Sequence, residues 1–148
     1  MITIRQAVLD DLPVVAPLFD AYRQFYGKPA DLELAQRFLR ARMENRESTV
    51  LLALDADGQG AGFVQLYPSF SSVSAQRTWI LNDLFVAPAA RRTAVGRRLL
   101  DAAAQFGREH GAIRLTLSTA HSNEGAQVLY ASHGWVRDEQ FYVYSLTL

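Results

Sequence analysis

The stretch from Trp79 to Gly111, WILNDLFVAPAARRTAVGRRLLDAAAQFGREHG, carries the strongest structural signal in this chain. An apolar run ends at Val86, a short loop containing Pro88 follows, and an amphipathic segment begins at Val95. This order of patterns predicts a strand, a loop and a long helix. The loop between them is short and rich in small residues, so its backbone is expected to be accessible.

Arginines cluster at the predicted start of this helix. They are Arg91, Arg92, Arg97 and Arg98. Positive side chains there oppose the helix dipole, which favours negative charge at the amino end. The opposition disappears when a phosphate group binds the free backbone N–H groups and the arginines surround it. We therefore interpret the turn from Thr93 to Arg97 as a seat for the phosphates of a cofactor.

The composition restricts the class of protein. The chain has 148 residues, which suits one domain covering residues 1–148. Its formal net charge is zero, which argues against nucleic-acid or membrane binding. The absence of cysteine excludes disulfides, thiolate metal sites and a cysteine nucleophile, and the histidine spacing predicts no metal site. The amino-terminal segment lacks a long apolar run, so we expect a cytoplasmic protein.

Alternation and capping patterns predict six strands and four helices. The predicted strands span 2–7, 49–54, 62–67, 78–86, 112–118 and 141–148. The helices follow caps at Asp10 and Asp31 or span 95–110 and 123–133, and the serine-rich segment 68–75 is predicted to be a loop. Strands pair early and alternate with helices late. We expect an α/β fold with a central mixed sheet of six to seven strands, parallel around the fourth and fifth, and about four flanking helices.

Four segments match, in order, the motifs of a known family. They are Ile4-Arg5-Gln6-Ala7 with Asp10; Leu84-Phe85-Val86-Ala87-Pro88; Arg91-Arg92-Thr93-Ala94-Val95-Gly96; and Asn123, Ala126, Leu129-Tyr130 and Gly134-Trp135. They resemble the GNAT superfamily of N-acetyltransferases, whose loop motif is Q/R-x-x-G-x-G/A. The resemblance covers nearly the whole chain and is densest from Trp79 to Trp135. Ala94 replaces the first glycine of the loop motif, so this position either keeps an ordinary helical conformation or reshapes the loop.

The resemblance implies acetyl-CoA as the co-substrate. Its diphosphate would lie on the loop, and its amide-rich arm would bond to the edge of the fourth strand where the fourth and fifth strands splay apart. The implied cofactor-binding residues are Leu84, Phe85, Val86, Arg91, Arg92, Thr93, Ala94, Val95, Gly96, Arg97, Asn123, Ala126 and Tyr130. For the Phe85 ring we favour plain packing. For Asn123 the alternative role is helix capping, and the side chains of Arg91 and Arg92 either contact phosphate or remain solvated.

Acetyl transfer to an amine needs a base for the amine and an acid for the departing thiolate. By resemblance, Tyr130 is the general acid; its alternative role is core packing. Asp83 is a carboxylate within an apolar strand, which is unusual unless it is paired or functional. It is the candidate base, directly or through water, with a water chain or a structural role for Asp83 as the alternatives. Asn82 stands where similar proteins often have an acid, and an amide cannot take the proton.

The expected acceptor is a small primary amine. Tyr22 to Gly27, the Leu-Tyr-Pro segment at Tyr67 and the Asn-Asp-Leu-Phe-Val strand look similar to the diamine and polyamine acetyltransferase group. Tyr22, Tyr26, Tyr67 and Asn82 are the substrate-binding candidates, since aromatic rings attract a cationic amine. A diamine, polyamine or amino acid is expected, with a peptide or protein amine, or a non-catalytic acyl-CoA-binding sensor module, as alternatives. If the apolar terminal strand FYVYSLTL were exposed, its unpaired edge would tend to associate with another chain, which predicts a homodimer.

Overall fold

The computed structural model describes every residue from Met1 to Leu148. Its elements in chain order are β1 (Thr3–Gln6), α1 (Leu12–Phe25), α2 (Leu32–Glu44), β2 (Thr49–Leu54), β3 (Gly60–Ser71), β4 (Gln76–Val86), α3 (Val95–Glu109), β5 (Leu115–Thr116) and α4 (Glu124–Ser132). Short 3-10 turns at Leu9–Asp11 and Pro88–Ala90 lead towards α1 and α3. None of the helices has both the length and the apolar composition needed to cross a membrane. The chain forms two compact units, Met1–Ser118 and Thr119–Leu148.

One five-stranded sheet, in the order β1-β2-β3-β4-β5, organises the first unit. The pairs β1–β2, β2–β3 and β3–β4 are antiparallel, and β4–β5 is parallel. The mixed sheet, its parallel part and the four α-helices are as predicted. The predicted number of strands, six to seven, is wrong.

The missing strand is the carboxyl-terminal segment. Residues 141–148 form no strand, and the apolar side chains among them are exposed, with Phe141 at 76% and Leu148 at 111% of full exposure. Alternation shows only that a segment is suited to pairing. A strand exists when a neighbour supplies partners for its backbone N–H and C=O groups, and none of the strand pairs includes residues 141–148.

The prediction of a loop at 68–75 is also wrong for residues 68–71, which belong to a strand. Strand β3 continues to Ser71, with Pro68 opposite Trp79 and Ser71 opposite Gln76, so that only residues 72–75 form the turn. The Arg77 guanidinium lies over the Phe70 ring at 4.1 Å. Such cross-strand contacts extend the hairpin although serine and proline predict a break.

The two faces of the sheet carry different helices. On one face, Phe63 and Phe85 pack in a buried cluster with α1 and α2 residues such as Phe19. Side chains alternate along a strand, so Gly62 faces the other way. A Cβ added to Gly62 would lie 3.2 Å from Leu99 of α3, which places α3 on the opposite face. Each face is therefore buried by helices.

Candidate active site

The outer edge of β4 is open over its second half. Strand β5 pairs with β4 only at Trp79–Leu115 and Ile80–Thr116. From Leu81 to Val86 the other edge still pairs with β3, while this edge meets no strand. The edge therefore offers backbone N–H and C=O groups of the kind that hold an extended, amide-containing ligand. The Phe85 ring is buried beside Phe63, which agrees with the packing role favoured for it.

A bulge in β4 separates Asn82 from Asp83. Gln65 of β3 lies opposite Asp83, but the next residue, Leu66, lies opposite Leu81. Asn82 is thus the additional residue, and it is exposed while Asp83 is 3% exposed. Such bulges occur next to active sites, where they redirect a side chain. Here the bulge leaves the Asp83 carboxylate in the interior.

Neutral groups hold the Asp83 carboxylate. Gln65 Nε2 donates to Oδ2 at 2.5 Å, and Asn82 Nδ2 donates to Oδ1 at 3.0 Å. Burial raises the pKa of Asp83 above its ordinary value, while the hydrogen bonds from Gln65, Tyr22 and Asn82 act in the opposite direction. A carboxylate whose pKa is raised takes up a proton more readily than an exposed one, as a general base requires.

The predicted acceptor residues gather around Asp83. Tyr22 packs against Tyr26, with ring centroids 5.1 Å apart, and its hydroxyl donates to the Asn82 carbonyl at 3.5 Å. Burial raises the pKa of Tyr67 to about 12, and the nearby Asp83 charge adds to this shift. We call Tyr22, Tyr26, Tyr67, Asn82 and Asp83 the tyrosine–aspartate cluster. Residues distant in sequence thus form one polar and aromatic site at the bulge.

The loop before α3 accommodates Ala94 without strain. Ala94 has φ −83° and ψ 11°, which lies outside the ordinary helical region but at a negative φ that alanine can adopt. The left-handed position of this loop is Arg92, with φ 63°. The backbone at position 94 therefore does not require glycine in this chain.

The amino end of α3 retains free N–H groups. The Thr93 hydroxyl donates to the Ala90 carbonyl and accepts weakly from the Val95 N–H at 3.4 Å. The first helical bond runs from the Arg98 N–H to the Ala94 carbonyl at 2.9 Å, so the N–H groups of Gly96 and Arg97 precede it without an intrahelical partner. Free N–H groups at a helix amino end are suited to an anionic group.

The four arginines at this end differ in their contacts. Arg98 Nη1 donates to the Ile2 carbonyl at 2.6 Å and so links α3 to the start of the sheet. Arg91 Nε donates to the Val86 carbonyl at 3.1 Å, and its guanidinium lies 5.6 Å from the Phe85 ring centroid. Arg92 and Arg97 are exposed. Arg98 therefore has a structural contact, and Arg91 connects the loop to the open edge of β4.

The second unit carries the remaining sequence candidates. Asn123 precedes α4 but makes no side-chain capping bond, so the capping alternative is not realised. Ala126 and Tyr130 are half-buried on this helix, and the Tyr130 ring packs against Trp135 at 6.1 Å. Packing and a role as acid remain compatible for Tyr130.

Sequence reasoning missed Gln65. It is fully buried, and it is the direct partner of Asp83 across β3 and β4. The signal was a single amide within the apolar run from Gly62 to Tyr67, because a buried polar side chain needs a polar partner. Only the register identifies that partner as Asp83.

Comparison with known proteins identifies the family of this chain. Residues 15–135 match the model of the acetyltransferase (GNAT) family. The chain is 49% identical to an uncharacterized N-acetyltransferase, YhfO, of Bacillus subtilis (strain 168), over 98% of this chain and 97% of the relative. It is 36% identical to a streptothricin acetyltransferase of Streptomyces lavendulae, over 64% of this chain and 48% of that protein.

A solved structure has the same fold. The crystal structure of a probable acetyltransferase superimposes with a TM-score of 0.94 at 46% sequence identity, covering 99% of this chain and 97% of that one. The family model and the relative matched over nearly its full length both assign the same chemistry. The chain therefore belongs to the acetyltransferase (GNAT) family and is an acetyltransferase.

Proposed function

We propose that this acetyltransferase moves the acetyl group of acetyl-CoA to a primary amine of a small molecule, by direct attack within a ternary complex. The observation that carries the proposal is the tyrosine–aspartate cluster, whose Asn82 and Asp83 lie on β4, the strand with an edge that is open from Leu81 to Val86. The proposed amine-binding cluster thus adjoins an edge suited to the coenzyme arm.

For the coenzyme, we assign the diphosphate to the N–H groups from Thr93 to Arg97, with Arg92 and Arg97 as its charge partners. The unpaired N–H groups of Gly96 and Arg97 support this assignment. The amide-rich arm is assigned to the β4 edge at Leu84, Phe85 and Val86. In the second unit, Asn123, Ala126 and Tyr130 are the proposed contacts.

For the acceptor, the cluster favours a cationic group. Aromatic rings and a carboxylate both attract an alkylammonium ion, and Asp83 has only neutral partners. Diamines, polyamines and amino acids are the proposed substrates, and the likeness to a streptothricin acetyltransferase supports a small molecule. The exposed amide of Asn82, which cannot take a proton, favours the alternative of a non-catalytic acyl-CoA-binding module.

The proposed reaction needs no covalent enzyme intermediate. Asp83, directly or through water, takes a proton from the ammonium group, and the neutral amine attacks the thioester carbonyl carbon. A C–N bond forms and the C–S bond breaks. The nitrogen loses its surplus proton to solvent, and Tyr130 donates a proton to the departing thiolate.

Titration calorimetry with acetyl-CoA, followed by a panel of amines assayed for thiol release, tests the proposal. We expect saturable binding and release that depends on a small cationic amine. Binding without amine-dependent release would instead support the binding module. Release with peptides alone would replace the small-molecule acceptor by a peptide amine.

A further inference from the structure

Gln65 and Asp83 form a closely paired unit in the interior of the sheet. They lie directly opposite each other across β3 and β4, at the position where the bulge begins. Gln65 is 0% exposed, and its Nε2 lies 2.5 Å from Asp83 Oδ2. The amide thus donates directly to the carboxylate and fixes its orientation in the interior.

The other end of the same amide is unusual. Gln65 Oε1 is buried and has no hydrogen-bond partner in the protein. The terminal torsion of glutamine is two-fold, and a half-turn exchanges its oxygen and nitrogen. Either orientation gives Asp83 one partner and leaves the other end of the amide unpaired. A half-turn therefore costs no net hydrogen bond, provided that Asp83 gains or loses a proton at the same time.

The other groups facing Asp83 cannot fulfil this role. The Asn82 amide donates to the carboxylate, and the Tyr22 hydroxyl of α1 lowers the pKa of Asp83. The charge of Asp83 raises the pKa of Tyr67 on β3, and the charge of Arg42 on α2 lowers it. Arg42 itself bonds to Glu47 at 3.0 Å. Gln65 alone combines contact with Asp83, full burial and an unpaired acceptor.

We propose that Gln65 is a positioning residue for Asp83: its amide donates to the carboxylate before proton uptake and turns over to accept from the carboxylic acid afterwards. The proton moves from the ammonium nitrogen to Asp83 Oδ2, and the new O–H then donates to Gln65 Oε1. The inference rests on the proposed function, in which Asp83 is the base, but its first test needs no turnover.

The test is the titration of the Asp83 carboxyl carbon, followed by ¹³C NMR in the free protein and identified by its loss in Asp83→Asn. Replacing the amide with the similarly long Gln65→Met removes both its donor to the carboxylate and its acceptor for the carboxylic acid, and the lost donor bond is the stronger of the two because its partner is charged. We expect the titration midpoint to move upward by ~1–2 pH units. Gln65→Glu keeps the shape and should make the two carboxyl groups share a proton, which also raises the midpoint. An unchanged midpoint in both variants would overturn the inference.

Thr78→Val is the matched control. Thr78 is buried in the same strand pair, opposite Ser69, and has no hydrogen bond to Asp83. This nearly isosteric change should leave the midpoint where it is. A shift as large as that of Gln65→Met would mean that general loosening of the sheet, not the Gln65 amide, controls Asp83.

The pH profile of kcat/KM separates this inference from the proposed function. If Asp83 is the base, the acidic limb of the profile should move with the NMR midpoint in Gln65→Met. Movement of the NMR midpoint alone would refute Asp83 as the base and leave Gln65 as its positioning residue. Movement of neither would refute the role of Gln65, while loss of activity in Asp83→Asn would still support the base.

Discussion

Asp83 and Asp11 show how two carboxyl groups of one chain respond oppositely to pH. Burial raises the pKa of Asp83, so the folded state binds its proton more tightly than the unfolded chain does. Its contribution to stability is present in acid and is lost as the pH rises through the folded-state pKa. The hydrogen bond from Arg5 lowers the pKa of Asp11, which gives the reverse dependence.

Asp11→Asn tests this dependence at the surface. Arg5 contacts both Asp11 oxygens at 2.8 Å, and the Val8 N–H donates to Oδ2 at 2.7 Å. The stabilisation is complete above the unfolded-state pKa and disappears as the pH falls through the lowered pKa. We expect a lower melting temperature for the variant at pH 7 and no difference from the wild type in strong acid, with Asp10→Asn as the control. A decrease in melting temperature that is the same at every pH would contradict this explanation.

Tyr130→Phe tests the proposed general acid. Removing the hydroxyl keeps the ring packed against Trp135, so we expect kcat to fall by about 10²-fold or more while the Kd for acetyl-CoA changes little. Stopped assays and calorimetry measure the two quantities. Val128→Ala, at an exposed position of the same helix, serves as the control. An unchanged kcat would remove Tyr130 from the mechanism.

At the scale of the elements, the loop before α3 predicts an unusual result for a glycine substitution. Ala94 has an ordinary φ of −83°, so Ala94→Gly adds only freedom to the unfolded chain. We expect the free energy of unfolding to fall by ~0.5–1 kcal/mol, with no gain in affinity for acetyl-CoA. Arg92→Gly should instead raise stability, because Arg92 occupies the left-handed region at φ 63°. Denaturant titration of both variants measures the pair, and tighter coenzyme binding by Ala94→Gly would refute the interpretation.

At Gly62, in contrast, the sheet requires a residue without a Cβ atom. A Cβ added there would lie 2.6 Å from the Phe85 carbonyl oxygen, a backbone atom that cannot move aside easily. Gly62→Ala should therefore lower the free energy of unfolding by ~1–3 kcal/mol. Gly125→Ala on α4 meets nothing within 4 Å and should be neutral or stabilising. Equal effects of the two changes in denaturant titrations would count against the close contact.

At the scale of the whole molecule, the carboxyl-terminal segment is the basis for a proposed homodimer. Residues 141–148 expose six large apolar side chains: Phe141, Tyr142, Val143, Tyr144, Leu146 and Leu148. Exposed apolar surface of this kind is costly in water, and we propose that a second copy covers it. We expect a dimer by light scattering at micromolar concentration and a monomer after truncation behind Gln140. A full-length monomer would refute the proposal.

Local patterns in this chain predict what depends on near neighbours. The 3.6-residue periodicity predicts α3, and Asp31 caps α2 as predicted, with its carboxylate accepting the Leu34 N–H at 3.1 Å. The arginine cluster and the motifs after Trp79 identify the family. These features are readable because helices, caps and loop motifs are formed by residues a few positions apart.

Pairing between segments distant in the sequence determines the geometry of the candidate site and the extent of the strands. The register between β3 and β4 brings Gln65 to Asp83 and makes Asn82 the bulged residue, although 18 positions separate Gln65 from Asp83. The extension of β3 to Ser71 and the lack of a strand at 141–148 likewise depend on what lies beside each segment. A strand records in its sequence which face it buries, but its partner lies elsewhere in the chain or in another molecule, and only the folded arrangement supplies it.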